Sequence, residues 1–198
     1  MKIFALSLAG ILLLGLAGFG GYQAVQANQK FTGTELIPPR PAADFTLSSD
    51  RGDVRLSDFR GKTVLLFFGY THCTDVCPLT LANMAQAVRN LGAGGAGIQV
   101  IFVTVDPGRD TPAVAGQYAR SFSPAFIGLS GDAGAISAAA RDYGIYYAKT
   151  DIQSPTVYSV SHTSDVIVID PQGRWRLLWP GGASPAEMTR DLQLLERR

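Results

Sequence analysis

Apolar positions fall into distinct patterns along the chain. Thr63 to Phe68 is a continuous apolar run, and Ile98 to Val105 is a near-continuous one. Runs of this length predict strands covered on both faces, as at the centre of a parallel sheet. Between them Cys77, Leu81, Met84, Val88 and Leu91 recur at intervals of four and three, the stripe of a helix. Pro78 suits its first turn, and the cluster Gly92, Gly94, Gly95 and Gly97 ends it. Met84 falls on this stripe and is assigned to core packing. Upstream, Phe45-Thr46-Leu47 and Val54-Arg55-Leu56 alternate around Asp50-Arg51-Gly52-Asp53, which predicts a hairpin. Downstream, Asp106-Pro107 breaks the second strand, and Thr111 is placed to cap a helix that has Pro112 at its first position. Phe126 to Leu129 predicts a short strand and Ala133 to Tyr143 a small-residue helix. Val166 to Asp170 and Trp175 to Trp179 flank Pro171-Gln172-Gly173-Arg174, a second hairpin, with Trp175, Leu177 and Trp179 on one buried face. Ser184-Pro185-Ala186-Glu187 is a capping box opening the last helix.

The order hairpin, strand, helix, strand, helix, strand, helix, hairpin, helix implies a parallel core with helices on both faces and antiparallel strands added by the closing hairpin. This is the outline of an α/β, thioredoxin-like sandwich with a mixed central sheet. It occupies residues 43–198. Residues 28–42 read as a linker, kept extended by Pro38, Pro39 and Pro41.

Residues 1–27 have another character. Ile3 to Tyr22 is a stretch of 20 residues in which Ser7 is the one polar side chain. At about 1.5 Å per helical residue it spans a hydrocarbon core of ~30 Å. Lys2 precedes it, which orients the N-terminus inward and the rest of the chain outward. An uncleaved signal anchor fits this segment. A cleaved signal peptide fits it too, because Val25-Gln26-Ala27 resembles a processing site. Either way the domain is exported, and its thiols meet oxidising conditions.

Composition narrows the function. The chain has 198 residues, 46% hydrophobic and 17% charged, which excludes a largely disordered protein. Net charge is +1, so nothing in the charge balance favours nucleic acid as a partner. There are only two cysteines and two histidines, so their placement carries the chemistry.

Cys73 and Cys77 are four apart where a buried strand meets a helix N-terminus. If the first turn starts near Cys73, both point one way, close enough for a disulfide or for a shared metal ion. The helix N-terminus is expected to make both thiols more acidic than free cysteine. His72 adjoins Cys73, and adjacent side chains diverge, so it is not expected to be a third ligand. His162 lies in the polar segment Val160-Ser161-His162-Thr163-Ser164-Asp165, just before a core strand, where sites of α/β sheets assemble. A Cys-Cys-His set suits Cu(I) and also takes Cu(II) or Zn(II). On spacing alone, a structural disulfide and a solvated histidine stay open as the plainer alternatives.

Gly69-Tyr70-Thr71-His72-Cys73-Thr74-Asp75-Val76-Cys77-Pro78 resembles the signature of the SCO/SenC family, proteins needed to assemble the copper sites of cytochrome c oxidase. Asp106-Pro107-Gly108-Arg109-Asp110-Thr111-Pro112 is similar to that family's Asp-Pro-x-Arg-Asp-Thr-Pro segment, and Tyr158 to Thr163 with Val166 to Gly173 resembles the segment holding its metal-binding histidine. The resemblance covers roughly residues 40–196. It implies a thioredoxin-like fold, an uncleaved anchor, and copper held by Cys73, Cys77 and His162. It further implies a metallochaperone that passes copper to cytochrome c oxidase subunit II. The expected location is the bacterial inner membrane, single-pass, with the domain in the periplasm. Two positions depart from the family pattern: Thr74 where many members have Pro, and Ser161 where many have Asp. The alternative function is a thiol–disulfide reductase, with Cys73 and Cys77 as the redox pair that keeps the oxidase's copper-ligand cysteines reduced. Against it, thioredoxin-type motifs place two residues between the cysteines, and here there are three. A peroxiredoxin-like peroxidase fits less well, since the run before Cys73 lacks that family's Pro-rich approach.

Overall fold

The computed structural model describes residues 30–197. The membrane-spanning stretch expected over Ile3 to Tyr22 lies outside the described residues. Among these, no helix is long and apolar enough to cross a membrane.

A six-stranded sheet forms the body of the domain. In chain order its strands are β1 (Thr34–Pro41), β4 (Thr63–Gly69), β5 (Ile98–Thr104), β6 (Ile127–Leu129), β9 (Val166–Ile169) and β10 (Arg174–Trp179). Their spatial order is β1-β10-β9-β4-β5-β6. β4, β5 and β6 run parallel, whereas β9, β10 and β1 join by antiparallel pairing, so the sheet is mixed as expected. All seven residues of β4, all seven of β5 and all four of β9 are buried. Their continuous apolar runs leave no polar face to expose, which puts them at the sheet's centre.

The described residues form four α-helices, two of which open on the predicted caps. Helix α1 is Val76–Asn90, α2 is Pro112–Phe122, α3 is Ala133–Asp142 and α4 is Pro185–Glu196. The Thr111 side chain accepts the Val114 N–H ahead of Pro112, and Ser184 and Glu187 close a reciprocal capping box. α1 buries Cys77, Leu81 and Met84 as its stripe requires and packs against α4. α2 packs over β5 and β6. The hairpin β2 (Thr46–Ser49) and β3 (Gly52–Arg55) forms where alternation predicts it.

The structure departs from the sequence reading in two places. Residues 34–41, expected as part of a linker, are the edge strand β1, paired to β10 with a register shift between Glu35 and Arg40. Prolines in this segment are compatible with an edge, where a missing N–H is tolerated. The polar segment carrying His162 is in part a strand: Ser159–His162 form β8, paired antiparallel to β7 (Tyr147–Thr150) in a separate two-stranded sheet, and Thr163 to Asp165 link it to β9 without regular structure.

The start of β1 is held through α4. The carboxylate of Asp191 is fully buried, and it accepts the backbone N–H groups of Thr32 and Gly33 at 2.8 Å each and the indole N–H of Trp179 at 2.9 Å. Asp191→Ala strips three donors of their acceptor. It is expected to lower stability by about 2–4 kcal/mol, read as a fall in Tm of roughly 5–15 °C. A Tm unchanged in thermal unfolding would show that water replaces the carboxylate.

Candidate metal centre

The sheet brings the two halves of the site to one end. β4 delivers the chain to the cysteine turn at its C-terminal end. β9 runs antiparallel to β4, with Phe67 opposite Val166, so the chain entering β9 arrives at that same end. β8 ends at His162, four residues before β9 begins. β5 is parallel to β4 and releases residues 105–111 there as well.

The Sγ atoms of Cys73 and Cys77 and a ring nitrogen of His162 all lie within 4.8 Å of one another. Donors bound to one ion at about 2.0–2.3 Å stand roughly 3.5–4 Å apart, so small side-chain rotations close the set around a metal. Cys77 and His162 are the nearest pair, with Sγ 3.3 Å from Nε2. His162 Nδ1 lies 2.9 Å from the Thr163 carbonyl oxygen, which only accepts, so Nδ1 carries the proton and Nε2 presents its lone pair to the sulfurs. The Cys77 S–H then donates to Nε2. Burial holds the imidazole below its usual pKa, against the opposing effect of backbone contacts with Thr163 and Phe68, which keeps it neutral as a ligand must be. The ring is fixed edge-on by Tyr70, with centroids 5.8 Å apart, and by Phe67 at 6.2 Å. Because Nδ1 bonds to a backbone carbonyl, Ser161 in place of an acid does not orphan the imidazole.

The expected acidification of both thiols does not hold for Cys77. Burial pushes this thiol up, and the neighbouring Cys73 sulfur adds to the effect, outweighing a backbone donor at Tyr70. Helix α1 begins at Val76, so Cys77 is inside its first turn with the sulfur facing the core. Desolvation there exceeds what a helix N-terminus offers. Cys73 precedes the helix and stays half-buried, and its Sγ accepts the Cys77 N–H at 3.4 Å. It thus does the capping that the Asp75 side chain does not. Gly69 makes room for the buried sulfur: a Cβ on it would stand 2.9 Å from Cys77 Sγ and 3.1 Å from Phe102.

His72 is adjacent in sequence but not in the group. Its side chain is 54% exposed, and Nδ1 sits 3.1 Å from Thr71 Oγ1 and 3.7 Å from Asp110 Oδ1. Asp110 is fully buried and holds the cysteine turn from behind. It accepts Thr71 N–H at 2.8 Å, Thr71 Oγ1 at 2.6 Å and Thr104 Oγ1 at 2.7 Å. Sequence reasoning singled out the segment around Asp110 but gave it no task. Its signal was the string Arg109-Asp110-Thr111 directly after a core strand.

A mixed-sheet α/β domain with two cysteines and one histidine converging beside the end of a parallel strand defines a thioredoxin-like protein with a soft-metal centre. The family pattern described as SCO1/SenC matches residues 35–196, and the chain belongs to that family. It is 39% identical over 185 residues to the protein described as "Protein SCO2 homolog, mitochondrial" of Bos taurus, covering 87% of this chain and 69% of that one. The apo Sco1 protein from Thermus thermophilus superposes with a TM-score of 0.78 at 44% identity, covering 85% of this chain and 99% of that one. Bradyrhizobium japonicum ScoI with copper bound superposes with a TM-score of 0.71 at 35% identity, covering 78% of this chain and 99% of that one.

Proposed function

We propose that the protein is a copper metallochaperone: it binds copper through Cys73, Cys77 and His162 and passes it to the copper site of cytochrome c oxidase, on subunit II. The observation that carries this reading is the convergence of two sulfurs and an imidazole nitrogen within 4.8 Å, with the imidazole tautomer set for coordination. Two thiolates and one imidazole suit Cu(I), and copper is bound in the Bradyrhizobium relative. Copper is cargo here. It takes the place of the proton shared by Cys77 Sγ and His162 Nε2, and binding releases the thiol protons. The two sulfurs are unequal, one buried and one half-buried. An acceptor thiolate approaches on the Cys73 side and bonds to copper before Cys77 and His162 let go. The N-terminal stretch behind Lys2 holds the domain at the membrane, outside the cytoplasm.

The reduced chain is expected to bind one copper per molecule. Replacing both cysteines by serine, or oxidising them to a disulfide, is expected to abolish binding, because the ligands must be thiolates. Copper content after desalting measures both. Stoichiometric copper in the double-serine protein would overturn the reading. A thiol–disulfide reductase would need both cysteines but tolerate loss of His162. Oxidase activity in a strain carrying His162→Ala therefore separates the two: copper delivery requires all three residues.

A further inference from the structure

We propose that Asp106, Arg109 and Tyr158 form a latch that sets the position of His162 relative to the two sulfurs; this rests on the ligand set above. The hairpin β7–β8 that carries His162 is a two-stranded sheet outside the main one. Such a hairpin is marginal by itself and takes its place from what grips it. The loop after β5 grips it at Tyr158, the residue before β8. Tyr158 is buried, and its hydroxyl donates to Asp106 Oδ1 at 2.7 Å. Asp106 Oδ2 accepts Arg109 Nε, and Arg109 Nη1 donates to the Tyr158 carbonyl at 3.0 Å. The guanidinium lies 3.7 Å from the centroid of the Tyr158 ring, and the ammonium of Lys149 on β7 lies 4.0 Å from the same centroid. Arg109 is only 12% exposed, yet its Nη2 has no hydrogen-bond acceptor among the described residues. A buried donor without a partner is unfavourable, so stability alone does not account for an arginine here, whereas a planar fork that joins a carboxylate, a carbonyl and a ring does.

The same loop holds the other half of the centre, since Asp110 binds the cysteine turn at Thr71. Residues 106–110 therefore fix the thiols with one side chain and the imidazole with two others. The spacing between sulfurs and nitrogen is set by the length of a five-residue segment, not by the flexible hairpin. Arg109, Asp106 and Tyr158 are positioning residues, and none of them is a ligand.

The test uses the full chain with Arg109→Ala, Tyr158→Phe and His162→Ala, each alone and with Arg109 or Tyr158 paired to His162. Cu(I) affinity is read by chelator competition, and the ratio of nitrogen to sulfur ligands by X-ray absorption. Both latch variants are expected to bind Cu(I) about 10–100-fold more weakly, with the nitrogen ligand lost or depleted. Combined with His162→Ala they should add no further loss, because the latch acts through that residue. A general loss of stability would lower Tm without changing the ligand ratio. Tyr158→Phe removes one oxygen and decides the question if Arg109→Ala does not fold. Unchanged affinity with the nitrogen retained, or losses that multiply with His162→Ala, would overturn the latch alone. His162→Ala without effect would overturn the ligand set and the latch together.

Discussion

Replacing His162 by alanine is expected to weaken Cu(I) binding by at least 10–100-fold, the range seen even when an outer partner of a ligand is lost. His72→Ala is expected to change it by less than about threefold, because a side chain outside the ligand set contributes through local packing alone. The difference follows from direction. His162 Nε2 stands 3.3 Å from Cys77 Sγ, its tautomer fixed by the Thr163 carbonyl and its ring plane by Tyr70 and Phe67. His72 leaves the cysteine turn toward solvent and the Thr71–Asp110 pair, outside the ligand group. Two thiolates still hold Cu(I) without His162, so the variant should retain weak binding. Competition with a Cu(I) chelator measures both proteins. Equal affinity for His162→Ala and the unmutated chain would remove the imidazole from the site.

The second large effect is expected at a position that is not a ligand. Gly128 lies in β6, where α2 crosses so closely that a Cβ would stand 2.0 Å from the Ala115 carbonyl oxygen and 2.7 Å from the Gly116 nitrogen. Those are backbone atoms, so no side-chain rotation relieves the clash, and Gly128→Ala must lift the helix off the sheet. α2 begins just after Asp110, and Ser130, next to β6, donates its hydroxyl to the Asp110 carbonyl at 2.6 Å. Lifting α2 therefore disturbs the residue that holds the cysteine turn. Overpacking of this kind is expected to lower stability by about 3 kcal/mol or more, and Tm by roughly 6–12 °C. Copper affinity should fall with it. Thermal unfolding of the metal-free variant within about 2 °C of the unmutated chain would show that the sheet and helix separate without penalty.

Much of the architecture was legible because local and tertiary demands agree. The runs at Thr63 and Ile98 have no polar face and could only be central. Thr111-Pro112 and Ser184 to Glu187 place helix starts by their own hydrogen bonds. β1 was hidden because Pro38, Pro39 and Pro41 each lack a donor, and the ladder to β10 that accommodates them is visible only in three dimensions. β7 and β8 were hidden because a short, half-exposed ribbon has no hydrophobic period strong enough to announce itself. Within the site, the ligand trio came from spacing and family resemblance. The state of Cys77 did not, because helix proximity is a local property and desolvation depends on what packs around the sulfur. Asp106, Arg109 and Asp110 were visible as a string, but their task depends on Tyr158 and Thr71, which are distant in sequence.

The prolines of β1 also bear on how the protein behaves at high local concentration. Pro38 and Pro39 fall where the ladder to β10 shifts register, between Glu35 and Arg40, and neither has an N–H to offer the outer rim. A second molecule laid along that rim would find its ladder interrupted midway. The six-stranded sheet is thereby closed to edge-to-edge growth at β1. Where copies of the chain are crowded together, this break in the rim opposes self-association without the help of a covering helix.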